Sequence, residues 1–401
     1  MAGLARFCRG DIGLAEELAQ DAFVRAIETW PKQGIPSTPG AWLMTTAKNL
    51  AVDRARRKQS FEGKRDEIGR EMQSRGAFAA PQIDAVLDTE IEDDVLRLIF
   101  TTCHPALSRE SQVALTLRML GGLRTDEIAR AFLTSDATVG QRISRAKKTL
   151  AVSNVPFEVP TGAELPERMA AVLEVIYLIF NEGYSATAGD DWIRKDLCHD
   201  AIRLAGLLVD LVPDEAEAHG LLALMQLQAS RLDARSDENG NPVLLLDQDR
   251  GRWDRVLIDS GTAELARAIA LSRGSGRYTL QAQIAACHAT AARPEETDWA
   301  RIAETYSALA LIAPSPVIEL NRAVAVSMTD GPMAGLEILD AIADSDELAT
   351  YHLLPAVRGD LLAKVGETAA AREQFQRAAR LTRNEKERAI LLARASESHS
   401  D

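Results

Sequence analysis

TDEIARAFLTSDATVGQRISRAKKTL, residues 125–150, carries two helix signals separated by a short break. Thr125 can N-cap the first helix, on which Ile128, Ala129 and Phe132 share a face. The break falls at Thr134 to Asp136, and Ser135 or Asp136 can cap the second helix. That second helix gathers Arg142, Arg145, Lys147 and Lys148. Two short helices joined by a tight turn, the second basic, form a helix-turn-helix, whose second helix is expected in the major groove of DNA. Helical spacing sends Thr138, Gln141, Arg142 and Arg145 toward the groove and Lys147 and Lys148 toward phosphate. Arginine can read guanine O6 and N7, and glutamine can read adenine. Val139, Ile143 and Ala146 are then expected to face inward. A solvated basic face on an ordinary helix pair is the plainer alternative; turn, caps and charge together favour DNA.

The chain around this basic helix is acidic. It has 401 residues and a formal net charge of -13. Residues 1–150 carry a net +2 and residues 151–401 a net -15, so the acidity belongs to the second part. An acidic body repels nucleic acid, while basic patches in the first part can still bind it. Few aromatics and abundant Ala and Leu favour helices over sheets, so an all-α chain is expected. No apolar run is long enough for a membrane span, and the N-terminus lacks a signal-peptide layout. Four cysteines in a chain of this length imply no disulfide framework, and a reducing cytoplasm fits. Cys103-His104, Cys198-His199 and Cys287-His288 repeat a dipeptide. A metal would need them to converge from two domains, and buried cysteines beside core or capping histidines are commoner, so no metal is expected. No phosphate-binding glycine loop, catalytic triad or paired-acid motif stands out, so neither cofactor nor enzymatic activity is expected.

Residues 11–30 read as an amphipathic helix with Leu14, Leu18, Ala22 and either Phe23 or Ile27 on its apolar side. A proline-rich loop over 31–39 leads to a second helix near 40–58, whose end gathers Arg54, Arg56, Arg57 and Lys58. Trp42, Thr46, Asn49, Asp53 and Arg56 fall on one face of it. The expected organisation is a first domain at 1–58, a polar linker at 59–90, a helix-turn-helix domain at 91–150, a linker at 151–166 and a large helical domain at 167–401. In 355–383, Gly359, Gly366, Ala371, Phe375 and Ala378 match the spacing of a tetratricopeptide helix pair. Residues 298–331 read as helix, Pro314-Ser315-Pro316 break, helix. The last domain is thus expected to be an irregular tetratricopeptide-like solenoid, with a helical bundle lacking true repeats as the alternative. DENGN, 237–241, fails as a calcium loop because its glycine comes too early; Asn239-Gly240 reads as a hairpin turn.

Three stretches taken together resemble the extracytoplasmic-function sigma factors of bacterial RNA polymerase. GDIGLAEELAQDAFVRAIETW with PGAWLMTTAKNLAVDRARR resembles sigma region two, and TTCHPALSRESQVALTLRMLGGLRTDEIARAFLTSDATVGQRISRAKKTL resembles region four. LIFNEGYSATAGDD, DQDRGRWDRVLI and APSPVIELNRAVAV are similar to the subgroup with a tetratricopeptide-like C-terminal extension. Members usually have a further helix before the Gly10-Asp11 pair, so region two is expected to be short at its N-terminus. The resemblance implies that Asp11, Glu16, Glu17, Gln20 and Asp21 face the clamp coiled coil of core RNA polymerase, with region four near the flap. It implies that Trp42, Thr46, Asn49, Arg54, Arg56 and Arg57 serve the -10 element of promoter DNA, with Asn49 near a flipped base, and that the basic helix serves the -35 element. The extension is expected to bind a protein or peptide and to regulate the sigma regions in cis. A conventional helix-turn-helix regulator and a tetratricopeptide scaffold are the competing readings; a simple regulator has no use for the aromatic-and-arginine helix at 40–58, and in a scaffold the basic helix would be incidental.

Overall fold

The computed structural model describes residues 1–63, 86–132, 134–184, 193–238, 242–272, 276–382 and 385–397; the side chains of 55–63, 86–93, 130, 131 and 397 are outside that description. The described residues are helical throughout, with no strand. They form two compact units, residues 1–129 with 135–175, and residues 130–134 with 176–401.

The first unit begins with a short helix α1 (Ala2–Phe7), where the sequence suggested no element. Its Leu4 and Ala5 are buried, and Arg6 pairs with the buried Asp94 at 3.2 Å. Helix α2 (Ile12–Gln33) is capped by Asp11, whose Oδ1 accepts from Leu14 N at 2.9 Å. It runs three residues past the expected end, because Pro31 sits in its last turns and the chain leaves the helix only at Gly34, at φ 85°. The loop to α3 (Pro39–Gly63) therefore shrinks to 34–38. Leu18, Ala22 and Ala26 of α2 pack inward with Ala47 of α3, so small residues let the helices approach closely. The expected alternatives Phe23 and Ile27 are instead 56 % and 74 % exposed. Phe157, from the stretch read as a linker, packs against the same cluster.

Helices α4 (Val86–Thr102), α5 (Arg109–Thr116), α6 (Thr125–Ala131) and α7 (Asp136–Val152) complete the first unit, together with the start of α8 (Glu164–Tyr184) up to Val175. Arg168 of α8 donates to the Phe100 carbonyl at 2.7 Å, and Glu174 pairs with Arg109.

The second unit is organised around α10 (Ala216–Ala229), which is buried on nearly every side, in keeping with its largely apolar sequence. Helices α9 (Lys195–Leu211), α11 (Arg255–Ser272) and α12 (Arg277–Thr290) pack on it. Gly220 is required where α10 meets α12: a Cβ there would come within 2.7 Å of the Thr279 backbone nitrogen. Glu217 of α10 caps the facing helix, accepting from Tyr278 N at 2.7 Å and Thr279 N at 3.0 Å. DQDRGRW, 247–253, acts structurally: Arg250 donates to the carbonyls of His288 and Ala291 at the end of α12 and stacks over Trp253. Helices α13 (Trp299–Ile312), α14 (Pro316–Thr329), α15 (Pro332–Ala341), α16 (Leu353–Lys364), α17 (Thr368–Leu381) and α18 (Glu385–Glu397) follow, each packed against the next.

The break before Pro316 forms as expected, with Ser315 capping α14. Helices α16 and α17 pack against each other within 355–383, where Gly359 faces the buried Phe375 ring. The hairpin does not develop. Its turn at Asn239-Gly240 lies outside the described residues, the flanks meet only in an isolated antiparallel bridge between Ser236 and Pro242, and Leu245–Asp247 is a 3-10 turn. A single bridge with no strand to extend it gives no ladder to sustain a sheet.

Candidate nucleic-acid interface

The basic helix α7 starts as the sequence suggests. Ser135 is its cap, with Oγ accepting from Thr138 N at 3.1 Å and lying 2.8 Å from Thr138 Oγ1. The cap of α6 differs. Thr125 is already helical, the Arg124 carbonyl accepts from Ile128 N, and Glu127 reaches back to Arg124 N at 2.7 Å. Arg124 is therefore the residue at the cap position, and Glu127 in the first turn takes its amide through a charge-assisted hydrogen bond, the carboxylate half of a capping box. Val139, Ile143, Ala146 and Leu150 are buried along one side of α7. Gln141, Arg145 and Lys148 are exposed on the other. Arg142 is half-buried near Glu110 of α5, and its positive charge contributes to holding that carboxyl below its ordinary range, after the hydrogen bonds from Glu110's own backbone and from Ser108.

Lys147 stands apart from that face. Its ammonium is bonded to Glu16 of α2, and Arg118 donates to the same carboxylate, Nε at 2.8 Å and Nη2 at 2.7 Å. Glu16 is only 13 % exposed. Burial alone would push its carboxyl up; the Lys147 and Arg118 hydrogen bonds and charges outweigh burial and hold it below the ordinary range. A residue expected to face polymerase and one expected to face phosphate are thus each other's partners. Their separation of 131 positions left no local signal for this in the sequence.

The other residues of α2 divide. Asp11 is the helix cap, Glu17 pairs with Arg54 of α3 at 2.6 Å, Gln20 donates to Glu16 at 3.4 Å, and Asp21 is exposed. Beside them Phe23, Val24 and Ile27 form an exposed apolar strip that the charge-based reading missed. On α3, Thr46 is half-buried and Asn49 is exposed. Trp42 is half-buried and packs edge-on against Trp30, with ring centroids 5.5 Å apart. Arg56 and Arg57 lie on α3 with side chains outside the described part. The α3 face that carries Trp42, Thr46 and Asn49 lies about a third of a turn round the helix from Ala47 and Leu43, which pack into the core.

Cys103 and Cys198 are buried, and Cys103 lies 3.5 Å from Thr116 Oγ1. Among the described residues, no group of three or more His, Cys, Asp or Glu side chains is arranged to hold a metal. No described helix is long and apolar enough to cross a membrane.

Residues 1–61 match the family model for sigma-70 region 2, and residues 97–150 match that for sigma-70 region 4. The ECF RNA polymerase sigma factor SigK of Mycobacterium tuberculosis is 31 % identical over 152 residues, which are 37 % of this chain and 76 % of that protein. The chain belongs to the extracytoplasmic-function (ECF) sigma factors. A probable RNA polymerase sigma factor, RfaY of Xanthomonas campestris, is 29 % identical over 143 residues, 35 % of this chain and 34 % of that protein. The likeness of this ECF sigma factor to an uncharacterized protein of Rhizobium meliloti spans nearly everything: 44 % identity over 393 residues, 98 % of this chain and 91 % of that one. Residues 168–269, inside the extension, match a family of unknown function. As a member of this family, the chain has a sigma factor's role in transcription initiation.

Proposed function

We propose that this ECF sigma factor docks on core RNA polymerase through α2, with region four near the flap, reads the -35 element with α7, and engages the -10 element with the 34–38 loop and α3. The observation that carries the reading is the two-sidedness of α7: Val139, Ile143, Ala146 and Leu150 are buried while Gln141, Arg145 and Lys148 are open to a groove. On α2, the exposed Phe23, Val24 and Ile27 beside Asp21 offer a partner both apolar area and charge. On α3, exposed Asn49 suits a base edge, and Arg54, Arg56 and Arg57 suit phosphate. Trp42 supports that face mainly by packing on Trp30. The site of action is the cytoplasm, and no chemistry is performed by the chain itself.

Residues 176–401 regulate these surfaces in cis through a tetratricopeptide-like fold that also takes a protein or peptide partner. Two facts support this: the extension carries nearly all of the net negative charge, and a tethered domain acts at an effective concentration in roughly the millimolar range. Run-off transcription with core polymerase and genomic promoter fragments tests the sigma function, which requires specific initiation. A fragment ending at Tyr184, which retains the whole first unit, tests the regulation. Equal output from fragment and full chain at every salt concentration refutes it.

A further inference from the structure

A cavity of about 660 Å³ lies within the second unit. One face of α12 forms a wall, with Arg277, Gln281, Ile284 and His288 at helical spacing. Facing it are Leu224, Leu227, Gln228 and Arg231, from α10 and the turn after it. Tyr177, Trp253 and Tyr306 add aromatic surface. From Arg277 to His288 the α12 wall is about 16 Å long at 1.5 Å per residue. Volume and lining suit a small organic molecule better than a flat protein surface.

The charges are what single it out. The extension is strongly acidic, yet among the described residues no Asp or Glu lines this cavity, and two arginines do. Among the described residues, neither Arg231 nor Arg277 has a carboxylate partner. Near Arg231 are His288 Nδ1 and Trp253 Nε1, buried atoms without a protein hydrogen-bond partner, and Trp253 is only 3 % exposed. Buried polar atoms are normally satisfied; these two are closed to water, so the group that the open wall offers an anion at this end is the Arg231 guanidinium, with the two unpaired atoms in the wall behind it. At the other end, Tyr177 OH donates to Gln281 Oε1 at 3.2 Å next to Arg277.

We propose that this cavity binds a small organic anion with an apolar ring or chain, its carboxylate, sulfonate or phosphate held by Arg231 near His288 and Trp253, its body along Ile284, Leu227 and Tyr306, and a second polar group met by Arg277 and Gln281. The ligand is therefore an amphiphilic metabolite-sized acid, recognised by the extension itself. Burial, then the charges of Arg231 and Arg250, push the His288 imidazole down to about 4, so near neutral pH it is uncharged and can accept or donate one hydrogen bond.

The test uses the full chain and two fluorescent probes: 1-anilinonaphthalene-8-sulfonate, an aromatic sulfonate, and N-phenyl-1-naphthylamine, the same body without the anion. The sulfonate should bind one saturable site. Arg231→Gln and Arg277→Gln should each weaken it by about tenfold or more, since each removes a charged hydrogen-bond donor. Arg203→Gln, an exposed arginine outside the cavity, should leave it unchanged. The neutral probe should be indifferent to all three. Equal sulfonate affinity in all variants, many weak sites, or an equal loss for the neutral probe would each overturn the proposal. Neither polymerase nor DNA enters the assay, so its failure leaves the sigma reading untouched.

Discussion

Replacing Glu16 by glutamine keeps the shape of the side chain and removes the charge that Arg118 and Lys147 share. Exposed ion pairs contribute about 0–1 kcal/mol, and breaking a fully buried pair costs about 3–5 kcal/mol. Glu16, Lys147 and Arg118 are 13 %, 23 % and 24 % exposed, which places this triad between the two limits. The glutamine can still accept one hydrogen bond, so the loss should be about 2 kcal/mol in the first unit. Peptide-resolved hydrogen exchange in increasing urea reports that unit separately, through amides of α2 and α7. The pH dependence supplies a second check. The Glu16 carboxyl is held below its ordinary value in the folded state, so its contribution is present above the unfolded value and is lost as pH falls through the folded one. Wild type should therefore exceed Glu16→Gln at about pH 7, and the gap should narrow as pH falls below the ordinary carboxylate range. Equal protection at neutral pH, or a gap undiminished in acid, would refute the reasoning.

Arg142→Ala and Arg145→Ala should each weaken use of the -35 element by about 1–3 kcal/mol while polymerase binding stays intact, read by run-off transcription and polymerase pull-down. Asn49→Ala should reduce discrimination among -10 variants in permanganate footprints more than it reduces total DNA affinity, since a neutral amide contributes little Coulombic attraction. Gly140→Ala should raise stability by about 0.5–1 kcal/mol in thermal unfolding, because nothing lies within 4 Å of the added Cβ and glycine is a poor helix former. His288 has its proton affinity lowered from 6.5 to about 4 in the folded state, so the unfolded chain binds more protons in that window. Stability of the second unit should therefore fall as pH drops from about 6.5 to 4, by at most about 3 kcal/mol, and His288→Gln should flatten that slope in urea titrations.

The basic helix was legible because its signals are local. The Ser135 cap, the apolar period of Val139, Ile143 and Ala146 and the cluster of cations all lie within sixteen residues of one another. On α2 the same method misassigned Phe23 and Ile27, because a period-based reading favours large apolar residues, whereas this core closes on Ala22, Ala26 and Ala47. Small side chains bury little area each, and their value, the close approach of two helices, is visible only with the partner helix in place. The end of α2 was misjudged because Pro31 was taken as a breaker, though it removes only one hydrogen bond near a helix end. Glu16 read as a surface acid because both of its partners are more than a hundred residues away. The cavity in the extension was not legible for the same reason: its arginines come from the turn after α10 and from α12, and only the fold shows that no acid among the described residues joins them.

The shared carboxylate has a thermodynamic corollary. The -10 and -35 elements are named for positions 25 base pairs apart, which is about 85 Å along B-form DNA at 3.4 Å per pair. If α3 and α7 serve the two elements as proposed, the compact unit in which α2 touches α7 through Glu16 and Lys147 has to open to hold both at once. On the proposed assignment, a basic surface that takes Glu16 releases Lys147 for phosphate, and phosphate that takes Lys147 releases Glu16. The two binding events are then coupled with the same free energy in each direction, so polymerase should tighten the grip on DNA by the factor by which DNA tightens the grip on polymerase. A single glutamate would make promoter affinity a property of the holoenzyme that the free subunit does not have.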